Sequence, residues 1–159
     1  MATKDSLRKA LLAAIELLKE RDSSLLKNDA NERAITHKLA EYLEPHFRDE
    51  GWDIDCEYNR DGDYTKKLRH RADELVKKED TDASTVFPDI IVHHREKRGR
   101  TANLLVVEVK KSNNREGVDQ DKEKLRAFKT DTDLEYQFAA SVVLKVGDKW
   151  QDEATIEFI

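Results

Sequence analysis

Leu7, Leu11, Ile15 and Leu18 recur at the i, i+4, i+8, i+11 spacing of one helical face, which predicts a first helix from about Asp5 to Leu26. Lys27-Asn28-Asp29 breaks that pattern. A second helix is expected to begin near Ala30, with Ile35, Leu39 and Leu43 as its apolar stripe, and to end or kink at Pro45, which has no backbone N–H to donate. Gly51 marks a turn into 52–58, where Trp52, Ile54, Cys56 and Tyr58 alternate with Asp53, Asp55 and Glu57 as in a half-buried strand. Asp61-Gly62 signals another turn. The polar segment 64–78 is open to a helical reading, with Leu68, Ala72, Leu75 and Val76 inside.

Two denser apolar runs follow. Residues 86–93 and 104–109 are rich in β-branched residues and almost continuously hydrophobic, the pattern of strands covered on both faces. Arg98-Gly99-Arg100 supplies a short connection, so the two runs should form a hairpin. Asp121 to Lys129 reads as a helix with Leu125 and Phe128 inward, 138–144 as a buried strand, and 154–159 as a closing edge strand after the Gly147-Asp148 turn. The order is α, α, β, a variable segment, β, β, α, β, β. It predicts an α/β fold, a mixed sheet flanked by helices.

Composition changes this picture in two ways. Charged residues make up 40% of the 159 and hydrophobic ones 38%, so one ordinary core must sit under a heavily charged surface. The single cysteine, Cys56, allows neither an internal disulfide nor a multi-cysteine zinc site, and a cytoplasmic setting is the default expectation. The apolar stretch at 11–15 is followed by Glu16, Lys19, Glu20 and Arg21, which reads as an amphipathic helix and not as a signal peptide. No membrane span is expected, because no run reaches about 18 apolar residues.

The net charge of −5 makes the chain an unobvious nucleic-acid binder, but the charge is unevenly spread. From Arg95 to Arg115 seven basic residues face two acidic ones, a local net of +5, and from Arg60 to Lys78 the balance is +3. Taken alone, such runs are ordinary solvated faces.

Chemistry enters where charge interrupts the apolar strands. Alternation puts Leu104, Val106, Glu108 and Lys110 on one face of their strand and Leu105, Val107 and Val109 on the other. On the preceding strand Phe87, Asp89 and Ile91 share a face, and Pro88 suits a strand start or edge. Burying an unpartnered carboxylate costs several kcal/mol, so each acid calls for a nearby cation, and a divalent metal could serve. Singly, each strand also fits a plain reading, with Glu108 and Lys110 emerging into solvent and Asp89 in a turn.

Together, Pro88-Asp89, eighteen intervening residues and Glu108-Val109-Lys110 closing a hydrophobic strand resemble the PD-(D/E)XK nuclease superfamily. The resemblance covers approximately 29–146 and implies a restriction-endonuclease-like fold of core order αβββαβ. Residues 1–27 would be a helical extension and 147–159 a closing strand. It further implies a divalent-metal-dependent endonuclease acting on DNA, with Asp89, Glu108 and the backbone carbonyl of Val109 holding Mg²⁺, or Mn²⁺ in its place. Such hard cations take one or two carboxylates plus waters, and they supply both an activated water and charge neutralisation. Lys110 would orient the water or stabilise transition-state charge.

The resemblance also places an acid on the helix before the first strand, where Glu32 matches. Ile35, Thr36, Leu39 and Leu43 lie at about −60°, +40°, −20° and +20° from Glu32 on the helical wheel, so it sits centrally on the buried stripe. A capping box from Asp29 to Glu32 is the competing explanation. Lys66, Lys67, Arg69, Lys111 and Arg115 are the candidate nucleic-acid contacts, although Lys111 alternates away from Lys110 and fits a solvated position too. His93 and His94 point to opposite faces and are expected at the surface, and Cys56 reads as a core or edge residue. A homodimer is left open. The alternative function is a catalytically inactive nuclease-fold domain that binds nucleic acid or a protein partner.

Overall fold

The computed structural model describes residues 2–58, 60–61, 64–65, 67–68, 84–85, 87–95, 97–114 and 116–159. Among them lie helices α1 (Lys4–Arg21), α2 (Ser23–Lys27), α3 (Glu32–Leu43) and α4 (Val118–Thr130). The strands are β1 (Asp53–Cys56), β2 (Arg60–Asp61), β3 (Tyr64–Thr65), β4 (Lys67–Leu68), β5 (Ser84–Thr85), β6 (Ile90–His93), β7 (Asn103–Lys111), β8 (Phe138–Leu144) and β9 (Thr155–Phe158). Five of them form one mixed sheet in the order β1-β6-β7-β8-β9, with β7 and β8 parallel and the other pairs antiparallel. Two short ladders, β2-β3 and β4-β5, stand apart from it.

The predicted elements recur with shifted ends, and each shift has a local cause. The long first helix is two helices, because Asp22 leaves helical backbone at φ −124° and ψ 34°. Its carboxylate accepts a hydrogen bond from the Tyr42 hydroxyl on α3, which ties the bend to the neighbouring helix. At the start of α1, Thr3 Oγ1 accepts the Ser6 N–H at 3.1 Å while Ser6 Oγ accepts the Thr3 N–H at 2.9 Å, a reciprocal cap.

Helix α3 begins at Glu32 and not near Ala30, and its cap is Asn31, whose Oδ1 accepts the Ala34 N–H at 2.8 Å. The competing explanation of Glu32, a capping box from Asp29, is therefore absent. Asp29 sits in left-handed backbone at φ 49°, and its carboxylate is taken by Lys111 and Asn113. The helical reading of 64–78 fails at 64–65 and 67–68, which are extended, and the rest of that segment lies outside the described residues. The strand expected at 86–93 is paired only from Ile90, since Pro88 cannot donate to a ladder. Gly51, at φ 75°, makes the predicted turn into β1.

The sheet is packed on both faces, and alternation along β7 decides which residue serves which side. Leu105, Val107 and Val109 join Leu11, Ile15, Leu18, Ile35, Leu39 and Leu43 beneath α1 and α3. Val106 joins Ile91, Leu125, Phe128 and Ala139 beneath α4. Each such aliphatic side chain fully removed from water contributes about 1.5–3 kcal/mol, so these two layers hold β7 rigidly in the middle of the molecule. No helix among the described residues is long and apolar enough to cross a membrane.

Candidate active site

Strands β6 and β7 pair with Ile90 opposite Val107 and Ile91 opposite Val106. One step outward in the same register, Asp89 falls opposite Glu108. The spacing of the two acids in the sequence is thus the length of the hairpin that folds one onto the other. The Asp89 carboxylate accepts the Val109 N–H at 2.7 Å, which locks it against β7. Glu108 is only 4% exposed.

Helices complete the surroundings from both sides of the sheet. Lys110 Nζ lies 3.2 Å from Asp121 Oδ2 on α4 and 4.0 Å from Glu32 Oε1 at the first turn of α3. Glu32 Oε2 also accepts the Lys111 N–H at 3.3 Å, so its side chain reaches the end of β7. Lys124, one turn after Asp121, places Nζ 2.7 Å from Glu108 Oε1 and donates to the Phe87 carbonyl at 2.9 Å. Beside this cluster a pocket of about 380 Å³ opens between α3 and the end of β1, with Glu32, Thr36, His37, Cys56 and Asp89 among its lining and Arg33 bridged to Glu57 at 2.9 Å.

Electrostatics set these groups apart from an ordinary ion-pair network. Burial, and after it the negative charge of Asp89, push the Glu108 carboxyl up to about 8, against the pull of Lys124. Burial raises Asp89 as well, with the Val109 N–H and the Lys124 charge opposing it. Burial works against the Lys110 ammonium too, but Asp121 outweighs it, and Glu32 and Asp89 add to that, so Lys110 holds its proton more firmly than usual. Lys110 is accordingly a fixed positive charge at neutral pH and not a base.

These residues fit a hard divalent cation. Acidic groups (Glu32, Asp89, Glu108 and Asp121) outnumber the two lysines near them (Lys110 and Lys124) where solvent screening is weak. Glu108 Oε1 and Asp121 Oδ2 are buried without a hydrogen bond, although each has a lysine ammonium within ion-pair distance. Among the described residues no three His, Cys, Asp or Glu groups gather as a ready-made cage. A pair of carboxylates is enough for Mg²⁺, which keeps several of its waters.

No family model, curated protein or solved structure matches this chain. Its function has therefore to be argued from the site itself.

Of the residues singled out by sequence, Asp89, Glu108, Lys110 and Glu32 come together, and Val109 contributes its N–H to Asp89. Lys111 does not present a free cation to a polymer: its ammonium is bound to Asp29 at 2.8 Å and to the Ala30 carbonyl at 3.1 Å. Lys66, Arg69 and Arg115 lie outside the described residues, and of Lys67 only the backbone, in β4, is described. The basic run from Arg95 to Arg115 also spends charge internally, since Arg95 grips Asp55 at 2.6 Å and Lys110 and Lys111 are paired as above.

His93 departs from its expected surface position. It is 2% exposed, with Nε2 2.8 Å from Asp55 Oδ2. Burial would raise Asp55, but His93 and Arg95 together hold it well below the usual carboxylate range. Burial, then the neighbouring carboxylates, push the Cys56 thiol up to about 11, which disfavours the thiolate. Asp121 and Lys124 were missed by sequence reasoning. A signal existed, because Asp121 and Lys124 each stand four residues before Leu125 and Phe128 and so extend the inward stripe of α4.

The raised Glu108 carboxyl has a measurable consequence for the metal-free protein. A carboxyl whose pKa rises on folding takes up a proton in the folded state, so its stabilising effect is complete below its ordinary value of 4.5 and disappears as pH climbs to about 8. Tm measured without divalent ions should fall from pH 5 to pH 8. Glu108→Gln should remove most of that slope, and saturating Mg²⁺ should flatten it in the wild type by displacing the proton. A wild-type slope that Glu108→Gln leaves intact would show that another group titrates.

Proposed function

We propose that this chain is a Mg²⁺-dependent nuclease that hydrolyses phosphodiester bonds in DNA. The observation that carries the reading is the carboxyl pair of partly buried Asp89, just before β6, and buried Glu108 on β7, with the protonated Lys110 two residues further along β7. The succession α3, β1, β6, β7, α4, β8 supports a restriction-endonuclease-like core, with α1 and α2 before it and β9 after it.

Mg²⁺ held by Asp89 and Glu108 would supply an activated water and neutralise charge growing on the phosphate. The chain's own residues divide the remaining work. The Val109 N–H orients the Asp89 carboxylate, and apolar packing on both faces of β7 keeps Glu108 opposite it. Lys110 contributes a fixed positive charge beside the pair, where reaction makes the phosphate oxygens more negative. Glu32 holds the end of β7 through the Lys111 N–H and faces the Lys110 ammonium, which makes it a positioning residue. The pocket beside the pair is lined by Glu32 and Asp89, without Glu108 or Lys110 in its wall, and gives solvent access to the Asp89 side of the centre.

The test is cleavage of single- and double-stranded DNA and RNA with Mg²⁺ or Mn²⁺, and again with EDTA. Metal-dependent cleavage of DNA supports the reading; no cleavage of any polymer, or cleavage that survives chelation, overturns it. Glu32→Gln provides a finer check, because the amide still accepts from the Lys111 N–H while the charge facing Lys110 is gone. Its melting temperature should stay close to wild type while cleavage falls by roughly 10–100-fold, the scale of losing an outer support of a metal site. Unchanged cleavage would take Glu32 out of the site.

A further inference from the structure

Strand β7 and helix α4 face each other with two acid–lysine rows of opposite order. Glu108 and Lys110 lie two residues apart on one strand face, a rise of about 6.6 Å. Asp121 and Lys124 lie three apart on one helix face, a rise of about 4.5 Å. The rows meet acid to lysine, Glu108 with Lys124 at 2.7 Å and Lys110 with Asp121 at 3.2 Å.

Both acid oxygens, Glu108 Oε1 and Asp121 Oδ2, are buried without an aligned hydrogen bond, and the first contact differs in that its lysine is shared with a backbone carbonyl. The Lys124 ammonium donates to the Phe87 carbonyl at 2.9 Å, yet Glu108 Oε1, only 2.7 Å from the same nitrogen, is buried without an aligned hydrogen bond. A permanent buried ion pair offsets its desolvation through well-directed hydrogen bonds on both partners. Here the attraction is that of a compact charge resting on an oxygen. The charge sits on a flexible stem and its side chain is 24% exposed, so it has a route to withdraw into solvent.

We propose that Lys124 is the resident counter-cation of the Asp89–Glu108 pair, an ammonium latch that a divalent ion displaces when it binds. The inference rests on reading that pair as a metal site. Without a latch, the charged form of buried Glu108 would have no cation beside Asp89 whenever the ion was absent, and only a proton could neutralise it. With it, ionised Glu108 meets one cation or the other, and because the two compete for one oxygen, each weakens the hold of the other.

The experiment is calorimetric titration of Mg²⁺, with Ca²⁺ as a second probe, into metal-free wild type, Lys124→Met, Lys124→Gln and Glu108→Gln, with Tm recorded for each. Lys124→Met should bind Mg²⁺ on the order of tenfold more tightly than wild type, show a lower Tm without metal and gain more from Mg²⁺, while Glu108→Gln loses binding. If both Lys124 variants bind as wild type or more weakly while Glu108→Gln abolishes binding, the latch is wrong and the metal site stands. If Glu108→Gln binds as wild type, the metal site falls and the latch with it. Should Lys124→Met fail to fold, Lys124→Gln decides, since it keeps a donor for the Phe87 carbonyl without the charge. Failure of both to fold even in saturating Mg²⁺ would make Lys124 a structural cation and overturn the proposal.

Discussion

Asp89→Ala and Glu108→Ala should each abolish Mg²⁺-dependent cleavage and weaken calorimetric Mg²⁺ binding, because either change leaves the ion with a single protein carboxylate. The two variants should differ in stability. Asp89→Ala strips the Val109 N–H of its acceptor, and an orphaned buried donor costs about 1–3 kcal/mol. Glu108→Ala removes a group that burial already disfavours in its charged form, although it leaves the Lys124 ammonium with only the Phe87 carbonyl. Affinity for uncleaved DNA should hold or increase, since one of two negative charges beside the phosphate has gone. Circular dichroism and melting must accompany the assays. Variants that fold and cleave at the wild-type rate on every substrate would move the active centre elsewhere or abolish it.

Lys110→Ala should leave Mg²⁺ binding nearly intact and slow cleavage by on the order of 10²–10³-fold, the scale of losing one preorganised contact to developing charge. The separation of binding from rate follows from the site's geometry. Lys110 pairs with Asp121 and faces Glu32, and contacts neither of the two carboxyls proposed to hold the ion, so its loss should not open the ion's coordination. Its ammonium is protonated more firmly than usual, so a proton-abstraction role would be the wrong explanation of any loss. Lys110→Arg, which keeps the charge with a different shape, should recover part of the rate. If Lys110→Ala cleaves normally with metal binding unchanged, Lys110 is only the partner of Asp121.

The hairpin of β6 and β7 was legible in the sequence, since two β-rich apolar runs joined by Arg98-Gly99-Arg100 favour one and period-2 alternation assigns faces, whereas the register that sets Asp89 near Glu108 came from the fold. The helices α1, α3 and α4 were legible for a similar reason, each carrying its apolar stripe within one segment. Their ends were less so. The break at Asp22 depends on Tyr42, twenty residues away on another helix, and the cap of α3 falls to Asn31 because Asp29 is occupied by Lys111.

Sequence by itself therefore determined what local periodicity can encode: an α/β order, the central apolar strands and the two acids and one lysine that interrupt them. Only the tertiary structure decided how those charges are answered. Glu32 facing Lys110, Lys124 resting on Glu108, and His93 buried against Asp55 join residues 16 to 78 positions apart, and no periodic pattern specifies which opposite charge will meet which. The physical reason is that apolar burial is non-directional and repeats along a chain, whereas the ionisation of a buried carboxyl depends on the few charges that packing brings within several ångströms.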